Sequence, residues 1–426
     1  MPDSRAPGAR LAIGNSSRGY CLDVDAAGGA KKIQGVGFHA CAFRLSNCER
    51  CVVENVTVEY GSMPREITPR NPTTGAPPPI PSVSGNRSTL SRLRVMHAAG
   101  GGLAIHGSHN VLDEALIEDV DWLGTLDFSP LAVGFGSETP TVRSIEIARH
   151  GSAPYGVNNS VHRITMRRVG NAGVVMSELS NSVSYSHIHT VGLIATDLAA
   201  IHVDHNGAGP MCATLPNTDK HCKKVYHHNW IHDCSELGIR GDDDNRNLDL
   251  HHNVIFNVSG AAIMFKGDHN RAAHNTIFGV SNGRFDFASD FFIVTAPCDT
   301  NSHKGEGNCS QGNARSSFSN SVYGGLNGSS ARGTARQNWE FSGGAGHCTG
   351  PASLGGTCAF ERWEGMLNVS MHEDLELVDT HNFDFRPSAS SLLRQRGVPR
   401  GIDVGAPPHD SDLQKLFVEP EKNLLL

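Results

Sequence analysis

Three segments of the chain carry the same motif: His228-Asn229-Trp230-Ile231, His252-Asn253-Val254-Ile255-Phe256 and His274-Asn275-Thr276-Ile277-Phe278. The isoleucine of this motif recurs after 24 and then 22 residues. A spacing of 22 residues also separates Val95 from Ile117, and Met166 from Ile188. The chain is therefore built from a structural repeat of about 22 residues.

Each repeat contains two short apolar runs separated by a turn, as in Val254-Ile255-Phe256-Asn257 followed by Gly260-Ala261-Ala262-Ile263. Runs this short, broken by Asn and Gly, are typical of strands. Such strands bury their apolar side chains only when successive coils stack and pair in parallel, about 4.8 Å apart. The Leu-x-x-Leu-x-Leu pattern of leucine-rich repeats is absent, and a propeller needs units nearly twice as long. The sequence therefore predicts an all-β fold, a right-handed parallel β-helix with long loop insertions.

The turns at Asn229, Asn253 and Asn275 resemble those of the right-handed parallel β-helix proteins of the pectate-lyase-like superfamily. The resemblance covers residues 34–328, and the segment Asp384-Phe385-Arg386-Pro387 resembles the trailer that closes many of these proteins. It implies a β-helix, but a fold hosts many functions. This superfamily includes lyases, hydrolases, epimerases, esterases and adhesins.

The repeat divides the chain into three predicted regions. They are an N-terminal segment (1–33), the parallel β-helix (34–328), and loop-rich C-terminal coils with the trailer (329–426). Long excursions are expected to flank a groove on the outside of the stack; they are predicted at 61–85, 135–157, 206–222, 286–315 and 329–361.

The composition excludes some classes of partner. The 426 residues carry a formal net charge of −7, which argues against binding of nucleic acid by phosphate neutralisation. No run of 18 apolar residues is present, so we expect no transmembrane segment, and the N-terminus lacks the apolar stretch of a signal peptide. We expect a monomer.

The 11 cysteines include close pairs in Gly- and Asn-rich loops. Two disulfides are predicted, Cys212–Cys222 and Cys298–Cys309. Disulfides and the scattered Asn-x-Ser/Thr sequons are typical of an oxidising compartment. We therefore expect a secreted or cell-surface protein, whose signal peptide is not part of this chain. Cys48-x-x-Cys51 has no second pair at zinc-finger spacing.

The strand that follows each turn presents side chains alternately inward and outward. The inward positions were aligned on Ile105, Val175, Ile201, Ile239 and Ile263. The next residues, expected to point outward, are His106, Met176, His202, Arg240 and Met264. Three positions after each aligned residue come Ser108, Glu178, Asp204, Asp242 and Lys266. We call the last four of these, with His202 and Arg240 beside them, the outward row.

Acidic groups stacked about 4.8 Å apart repel one another unless a cation compensates. One interpretation is that Glu178, Asp204 and Asp242 bind Ca²⁺, which neutralises a uronate carboxylate. Lys266 or Arg240 would then remove the adjacent carbon-bound proton, with His202 as a third catalytic candidate. His106 and Asp243 are assigned to substrate binding. This chemistry resembles the calcium-assisted, basic-residue mechanism of the superfamily and predicts a polysaccharide lyase.

Two alternatives remain open. One carboxylic acid could protonate a glycosidic oxygen while another acts as base or nucleophile, as in a glycoside hydrolase. Gly241-Asp242-Asp243-Asp244 resembles the Asp pair of polygalacturonases, although their Gly-His-Gly and Arg-Ile-Lys motifs are absent. A non-catalytic carbohydrate-binding protein is the second alternative. The histidines that precede the turn asparagines, among them His227, His228 and His251, are assigned to the repeat consensus.

Overall fold

The structure is a computed structural model of the full chain. It describes residues 20–27, 29–61, 80–98, 101–122, 145–147, 156–177, 180–194, 198–204, 223–241, 247–266, 270–278, 289–294, 317–319, 322–324, 362–364, 367–369, 377–379 and 384–390. Within these residues, no helix has the length and apolarity needed to cross a bilayer.

The described residues form 34 strands. In chain order they are β1 (Tyr20–Asp25), β2 (Lys32–Gln34), β3 (Gly37–His39), β4 (Ala42–Glu49), β5 (Val52–Glu54), β6 (Thr57–Glu59), β7 (Ser82–Asn86), β8 (Thr89–Ser91), β9 (Arg94–Ala98), β10 (Leu103–His106), β11 (Val111–Asp113), β12 (Leu116–Val120), β13 (Ile145–Ile147), β14 (Ser160–His162), β15 (Thr165–Val169), β16 (Val174–Ser177), β17 (Ser182–Ser184), β18 (His187–Val191), β19 (Ala199–Asp204), β20 (Lys224–His227), β21 (Trp230–Cys234), β22 (Leu237–Gly241), β23 (Leu248–His251), β24 (Val254–Val258), β25 (Ala261–Lys266), β26 (Arg271–Ala273), β27 (Thr276–Phe278), β28 (Ser289–Val294), β29 (Ser317–Ser319), β30 (Val322–Gly324), β31 (Arg362–Glu364), β32 (Leu367–Val369), β33 (Leu377–Asp379) and β34 (Asp384–Pro387).

The chain divides into two compact units. The first unit comprises Met1–Ser177 and Ile188–Ile201, and the second comprises Glu178–His187 and His202–Leu426. The boundaries predicted from the sequence, after residues 33 and 328, stay a prediction.

In the first unit every third strand joins the same parallel sheet. Sheet A has the order β1-β4-β7-β10-β13-β16, sheet B the order β2-β5-β8-β11-β14, and sheet C the order β3-β6-β9-β12-β15-β18. The chain passes from sheet A to B to C and back, so each coil contributes one strand to each sheet. The winding is right-handed, the hand that nearly all parallel crossovers adopt.

The second unit repeats this arrangement. Its strands form sheet A with β22-β25-β28, sheet B with β17-β20-β23-β26-β29-β31, and sheet C with β21-β24-β27-β30-β32. The hairpin β33–β34 is antiparallel. The predicted right-handed parallel β-helix is confirmed. Three parallel sheets wound as coils are the architecture of pectate-lyase-like proteins, so that resemblance is confirmed at the level of the fold.

Aliphatic side chains stack inside each unit. In the second unit Ile231 pairs with Ile255 and Ile255 with Ile277, and all three are fully buried. Ile188 of the first unit is also fully buried. The four isoleucines that the repeat placed in the interior are therefore confirmed there, and each buried side chain contributes about 1.5–3 kcal/mol to folding.

A ladder of asparagines runs along the turn between sheets B and C of the second unit. Oδ1 of Asn253 accepts hydrogen bonds from the backbone N–H of Asn229 at 3.1 Å and from its Nδ2 at 3.0 Å. Oδ1 of Asn275 likewise accepts hydrogen bonds from the backbone N–H and from Nδ2 of Asn253, both at 3.0 Å. All three side chains are fully buried. The buried backbone groups of the turn thus find partners in the next coil, as buried polar groups must.

The residue before each ladder position has a left-handed backbone. His228, His252 and His274 have φ values of 55°, 57° and 54°. In the first unit the residue that follows each sheet-B strand adopts the same conformation, although its identity varies: Asn55, Arg92, Glu114 and Arg163 have φ values of 52°, 50°, 53° and 50°. The turn therefore requires a backbone conformation and accepts several side chains.

The predicted loop boundaries need correction at three places. The excursion predicted for 61–85 overlaps the start of β7. The excursion predicted for 135–157 contains β13, and the excursion predicted for 286–315 contains β28. β13 was missed because a three-residue strand within a long insertion leaves no recognisable repeat. The 49 residues from Ile117 to Met166 are one coil with an insertion, because these two residues pair directly.

Candidate functional site

The outer face of sheet A in the second unit holds basic side chains. Ile239 pairs with Ile263, and Arg240 pairs with Met264 on the opposite face of the sheet. Arg240 is 3% exposed, and His202, in the neighbouring strand β19, is 8% exposed. Surrounding groups therefore largely enclose both side chains.

The alignment that defined the outward row was wrong by one residue in one coil. Ile105 pairs with Ile147, and Ile147 pairs with Met176. Met176 therefore shares the inner face with Ile105, and Val175 is the outward residue. A run of three apolar residues, Val174-Val175-Met176, fits either register, which explains the error.

The remaining predicted residues are only partly covered by the structure. His106 pairs with Ser84 in the first unit and is half-buried. Only the backbone of Asp204, at the end of β19, and of Lys266, at the end of β25, is described. Glu178, Asp242 and Asp243 lie outside the described residues. Their roles stay predictions.

A cluster of histidine side chains lies on the turn between sheets B and C of the second unit. We call His227, His228, His251, His252 and His274 the histidine array. Within a coil, Nδ1 of His227 lies 2.8 Å from Nδ1 of His228, and the same distance joins Nδ1 of His251 to Nδ1 of His252. In each such pair, one ring donates the proton and the other accepts it.

Between coils the rings of the histidine array stack. His227 lies on His251 with centroids 4.9 Å apart and planes 7° apart, and His228 lies on His252 at 5.0 Å and 17°. His274 continues the second stack at 4.9 Å from His252. These separations are the spacing of neighbouring strands. The coil geometry therefore brings the imidazoles of successive repeats together.

The histidine array contains a group of potential metal ligands. One ring nitrogen each from His227, His228 and His251 lie within 4.8 Å of one another, and all three side chains are half-buried. Burial, followed by the charges of the neighbouring histidines, lowers the pKa of His252 to about 3. Burial also lowers the pKa of His251. A neutral imidazole is the form that binds a metal.

A second cluster joins two buried histidines to a carboxylate. Nε2 of His187 lies 2.7 Å from Nε2 of His232, and both residues are at most 6% exposed. Nδ1 of His232 lies 2.8 Å from Oδ2 of Asp233. This carboxylate favours the tautomer in which Nδ1 of His232 carries the proton and donates it in a hydrogen bond. Phe256 stacks on His232 with centroids 4.5 Å apart. This pair thus has a defined orientation.

Sequence reasoning assigned the histidine array to the repeat consensus and missed the chemistry of its contacts. The sequence contains a signal for these contacts, because the motif His-His-Asn occurs at 227–229 and again at 251–253. Two adjacent histidines at the same position of consecutive coils are necessarily stacked neighbours once the fold is a β-helix.

The cysteines give one disulfide in the described part of the chain. Cys21 and Cys41 are bonded, a pair that the sequence analysis did not predict. Cys48, Cys51 and Cys234 are buried. The predicted pairs Cys212–Cys222 and Cys298–Cys309 lie outside the described residues.

Comparisons with known proteins give distant structural similarity. The chain is similar to the crystal structure of pectate lyase Pel9A, with 11% sequence identity, 89% of this chain and 87% of the other covered, and a TM-score of 0.37. It is also similar to XylC in complex with xylose, with 14% identity, 67% and 44% of the two chains covered, and a TM-score of 0.30. No protein-family model matches the chain, and no curated protein does. The function must therefore be argued from the chain's own residues.

Proposed function

We propose that this protein is a polysaccharide-active enzyme that cleaves a uronic-acid-containing polymer by β-elimination. The observation that carries the proposal is the placement of Arg240 and His202 on sheet A of the second unit, each nearly buried in a neighbouring strand. A solenoid sheet presents successive side chains along a line, which suits an extended polymer.

The chemistry of β-elimination explains why basic groups are needed. The base removes the proton from the carbon next to the uronate carboxylate, and the C–O bond to the glycosidic oxygen on the following carbon breaks. The departing oxygen takes a proton from solvent. Negative charge develops on the carboxylate, so a cation beside it stabilises the transition state. An arginine guanidinium stays charged at physiological pH and binds a carboxylate through two parallel hydrogen bonds. Arg240 is therefore proposed to hold the uronate carboxylate.

The proposed base is Lys266, with Arg240 and His202 as the other candidates. Lys266 ends β25, the strand that pairs with β22. A lysine removes a proton only in its neutral form, which a nearby positive charge would favour. His106 and Asp243 are proposed to bind the substrate.

Calcium is proposed as the cofactor, with Asp204 and Asp242 as its ligands. Glu178 leaves this predicted set, because its place in the outward row depended on taking Val175 as the inward residue of β16. Carboxylate oxygens are the ligands that Ca²⁺ prefers. When bound, the ion would neutralise the substrate carboxylate together with Arg240. Asp204 ends β19, the strand of His202. Calcium dependence of the reaction tests this assignment independently of the base.

Secretion is part of the proposal. The Cys21–Cys41 disulfide supports it, because disulfides persist mainly in oxidising compartments.

The test is a panel of uronate polymers incubated with the full-length protein. We expect the ultraviolet absorbance of an unsaturated uronate product, and we expect it to fall when the calcium chelator EGTA is added. Reducing-end release without this absorbance would instead identify a glycoside hydrolase. Binding without either product would identify a carbohydrate-binding protein, and both outcomes would contradict the lyase proposal.

A further inference from the structure

We propose that the histidine array is a binding site for a divalent transition-metal ion, with Zn²⁺ as the best fit. His227, His228 and His251 supply the ligands, so the ion links two successive coils of the second unit. The site is distinct from the proposed calcium site, because its donors are imidazole nitrogens and calcium prefers oxygen.

The positions of the nitrogens support this assignment. One ring nitrogen from each of the three histidines lies within 4.8 Å of the other two, and Nδ1 of His227 lies 2.8 Å from Nδ1 of His228. Tetrahedral zinc, with Zn–N bonds of about 2.0–2.1 Å, holds two nitrogens about 3.3 Å apart. The hydrogen-bonded pair is therefore within about 0.5 Å of the spacing that two zinc ligands need.

The rings are held in position before any ion binds. His227 stacks on His251, and His228 stacks between Tyr185 at 4.8 Å and His252 at 5.0 Å. His228 and His227 are nearly perpendicular, with 86° between their planes, so each ring directs an edge to the other. Preorganised ligands lose little conformational freedom on binding, which favours affinity.

The fold itself does not demand histidine at these positions. The left-handed turn position that His228 and His252 occupy holds Asn55, Arg92 and Glu114 in the first unit, with φ values of 52°, 50° and 53°. The strand position of His227 and His251 holds Ser184 in the same sheet. Turn geometry therefore explains the backbone but not the five imidazoles.

The number of ligands indicates what the ion would do. Three protein nitrogens leave a fourth position of tetrahedral zinc for water, or for the ring of His252, whose Nδ1 lies 2.8 Å from Nδ1 of His251. Because the ligands belong to two coils, the ion would stabilise their stacking. Binding to the folded state alone raises the melting temperature as the ion concentration rises.

The experiment is a titration of the metal-free full-length protein with Zn²⁺ by calorimetry, repeated with Co²⁺, whose visible absorption reports tetrahedral nitrogen ligands. Three variants are compared with the parent: His228→Asn, His251→Ser and His274→Asn. The first two replace ligands by residues found at the same positions in other coils. His274→Asn is the matched control, because His274 has the same backbone conformation as His228 but lies outside the three-nitrogen group.

We expect one Zn²⁺ ion per chain to bind to the parent and to the His274→Asn variant. His228→Asn and His251→Ser should each weaken this binding by about 100-fold or more, since even groups behind the ligands are worth about 10- to 100-fold. Added Zn²⁺ should raise the melting temperature of the parent, and the two ligand variants should lose this increase.

The proposal is overturned if all four proteins bind Zn²⁺ alike, because the ion would then be held by other histidines of the chain. It is also overturned if His274→Asn weakens binding as strongly as His228→Asn, since the array would then act only through its stacking. Far-UV circular dichroism of the metal-free variants separates loss of the site from loss of the fold. Should His228→Asn fail to fold, His251→Ser decides the matter alone.

Discussion

The amide nitrogen Nδ2 of Asn253 lies 3.0 Å from Oδ1 of Asn275, and it also lies 3.0 Å from the backbone carbonyl of Tyr226. One buried side chain thus joins three consecutive coils of the second unit. Because a buried polar group that loses its partner costs about 1–3 kcal/mol, the asparagine ladder makes each coil depend on its neighbours.

Replacing Asn253 by alanine should destabilise the protein strongly. The backbone and Nδ2 donors of Asn229 and the carbonyl of Tyr226 would lose their partner, so we expect a loss of about 2–4 kcal/mol in the free energy of unfolding. Urea denaturation measures it. Asn257, an exposed residue of β24, provides the control: Asn257→Gly keeps the left-handed backbone and should change stability by less than about 1 kcal/mol. Equal effects of the two changes would refute a structural role for the ladder.

The substitution Ile255→Ala tests the stacked interior. Ile255 is fully buried between Ile231 and Ile277, so the variant should lose about 2–5 kcal/mol through lost burial and the cavity that remains. Val111→Ala at a half-buried position is the comparison and should cost clearly less. Thermal and chemical unfolding measure both variants. A loss below that of Val111→Ala would mean that the column relaxes around the cavity.

Tyr226 lies in the interior, and its hydroxyl has no hydrogen-bond partner among the described residues. The Tyr226→Phe variant removes a buried, unsatisfied polar atom, so its stability should equal or exceed that of the parent by about 1 kcal/mol. Burial also raises the pKa of Tyr226. The native state therefore keeps this proton while the unfolded chain releases it.

Stability of the parent should consequently fall more steeply than that of Tyr226→Phe once the pH rises above about 10, the ordinary pKa of tyrosine. Below that pH the two curves should run parallel. Urea unfolding between neutral and alkaline pH gives the comparison. If the Phe variant is the less stable protein at neutral pH, the hydroxyl has a partner after all.

The proposed elimination reaction gives a prediction for the basic residues. On a substrate that the parent cleaves, Lys266→Ala should lower kcat by about 10²- to 10⁴-fold while binding is largely kept, because the base acts in proton transfer. Asp204→Asn should weaken calcium dependence and substrate affinity together. Arg271→Ala, an exposed arginine of the same unit that pairs with Asp249, should leave both unchanged. Full activity of Lys266→Ala with loss in Arg240→Ala or His202→Ala would reassign the base.

Mass mapping without reduction tests the cysteine assignments. We expect peptides that join Cys21 to Cys41, and we also expect the pairs Cys212–Cys222 and Cys298–Cys309. Each loop closure of the latter two would contribute about 2–3 kcal/mol. Cys48, Cys51 and Cys234 are buried and should react with iodoacetamide only after unfolding. Free thiols at Cys212, Cys222, Cys298 and Cys309 would indicate a reducing compartment and contradict secretion.

The repeat predicted the fold because its signal is redundant: Ile231, Ile255 and Ile277 each report the same inward position. The register at β16 was wrong because Val174, Val175 and Met176 are all apolar, so alternation gives no information there. β13 was missed because its three residues lie in a long insertion, and only the pairing of Ile105 with Ile147 reveals it.

The two candidate sites differ in how much of each could be predicted from the sequence. Arg240 and His202 follow buried isoleucines, and a period of two residues sufficed to select them. The hydrophobic pattern does not predict the histidine array. Its recognition requires the left-handed backbone conformation of His228 and the 5.0 Å distance between the ring centroids of His228 and His252 in successive coils. Proximity of this kind arises only when the coils are superposed in space.

The left-handed turn position has a wider consequence for this chain. In the second unit it places one side chain per coil, from Tyr185 through His228 and His252 to His274, at separations of 4.8–5.0 Å. In the first unit the same position holds Asn55, Arg92, Glu114 and Arg163, so its chemistry varies without any change to the interior. The turn thus holds one variable side chain per coil at a constant spacing. Selection or design can change these side chains while the interior stays the same.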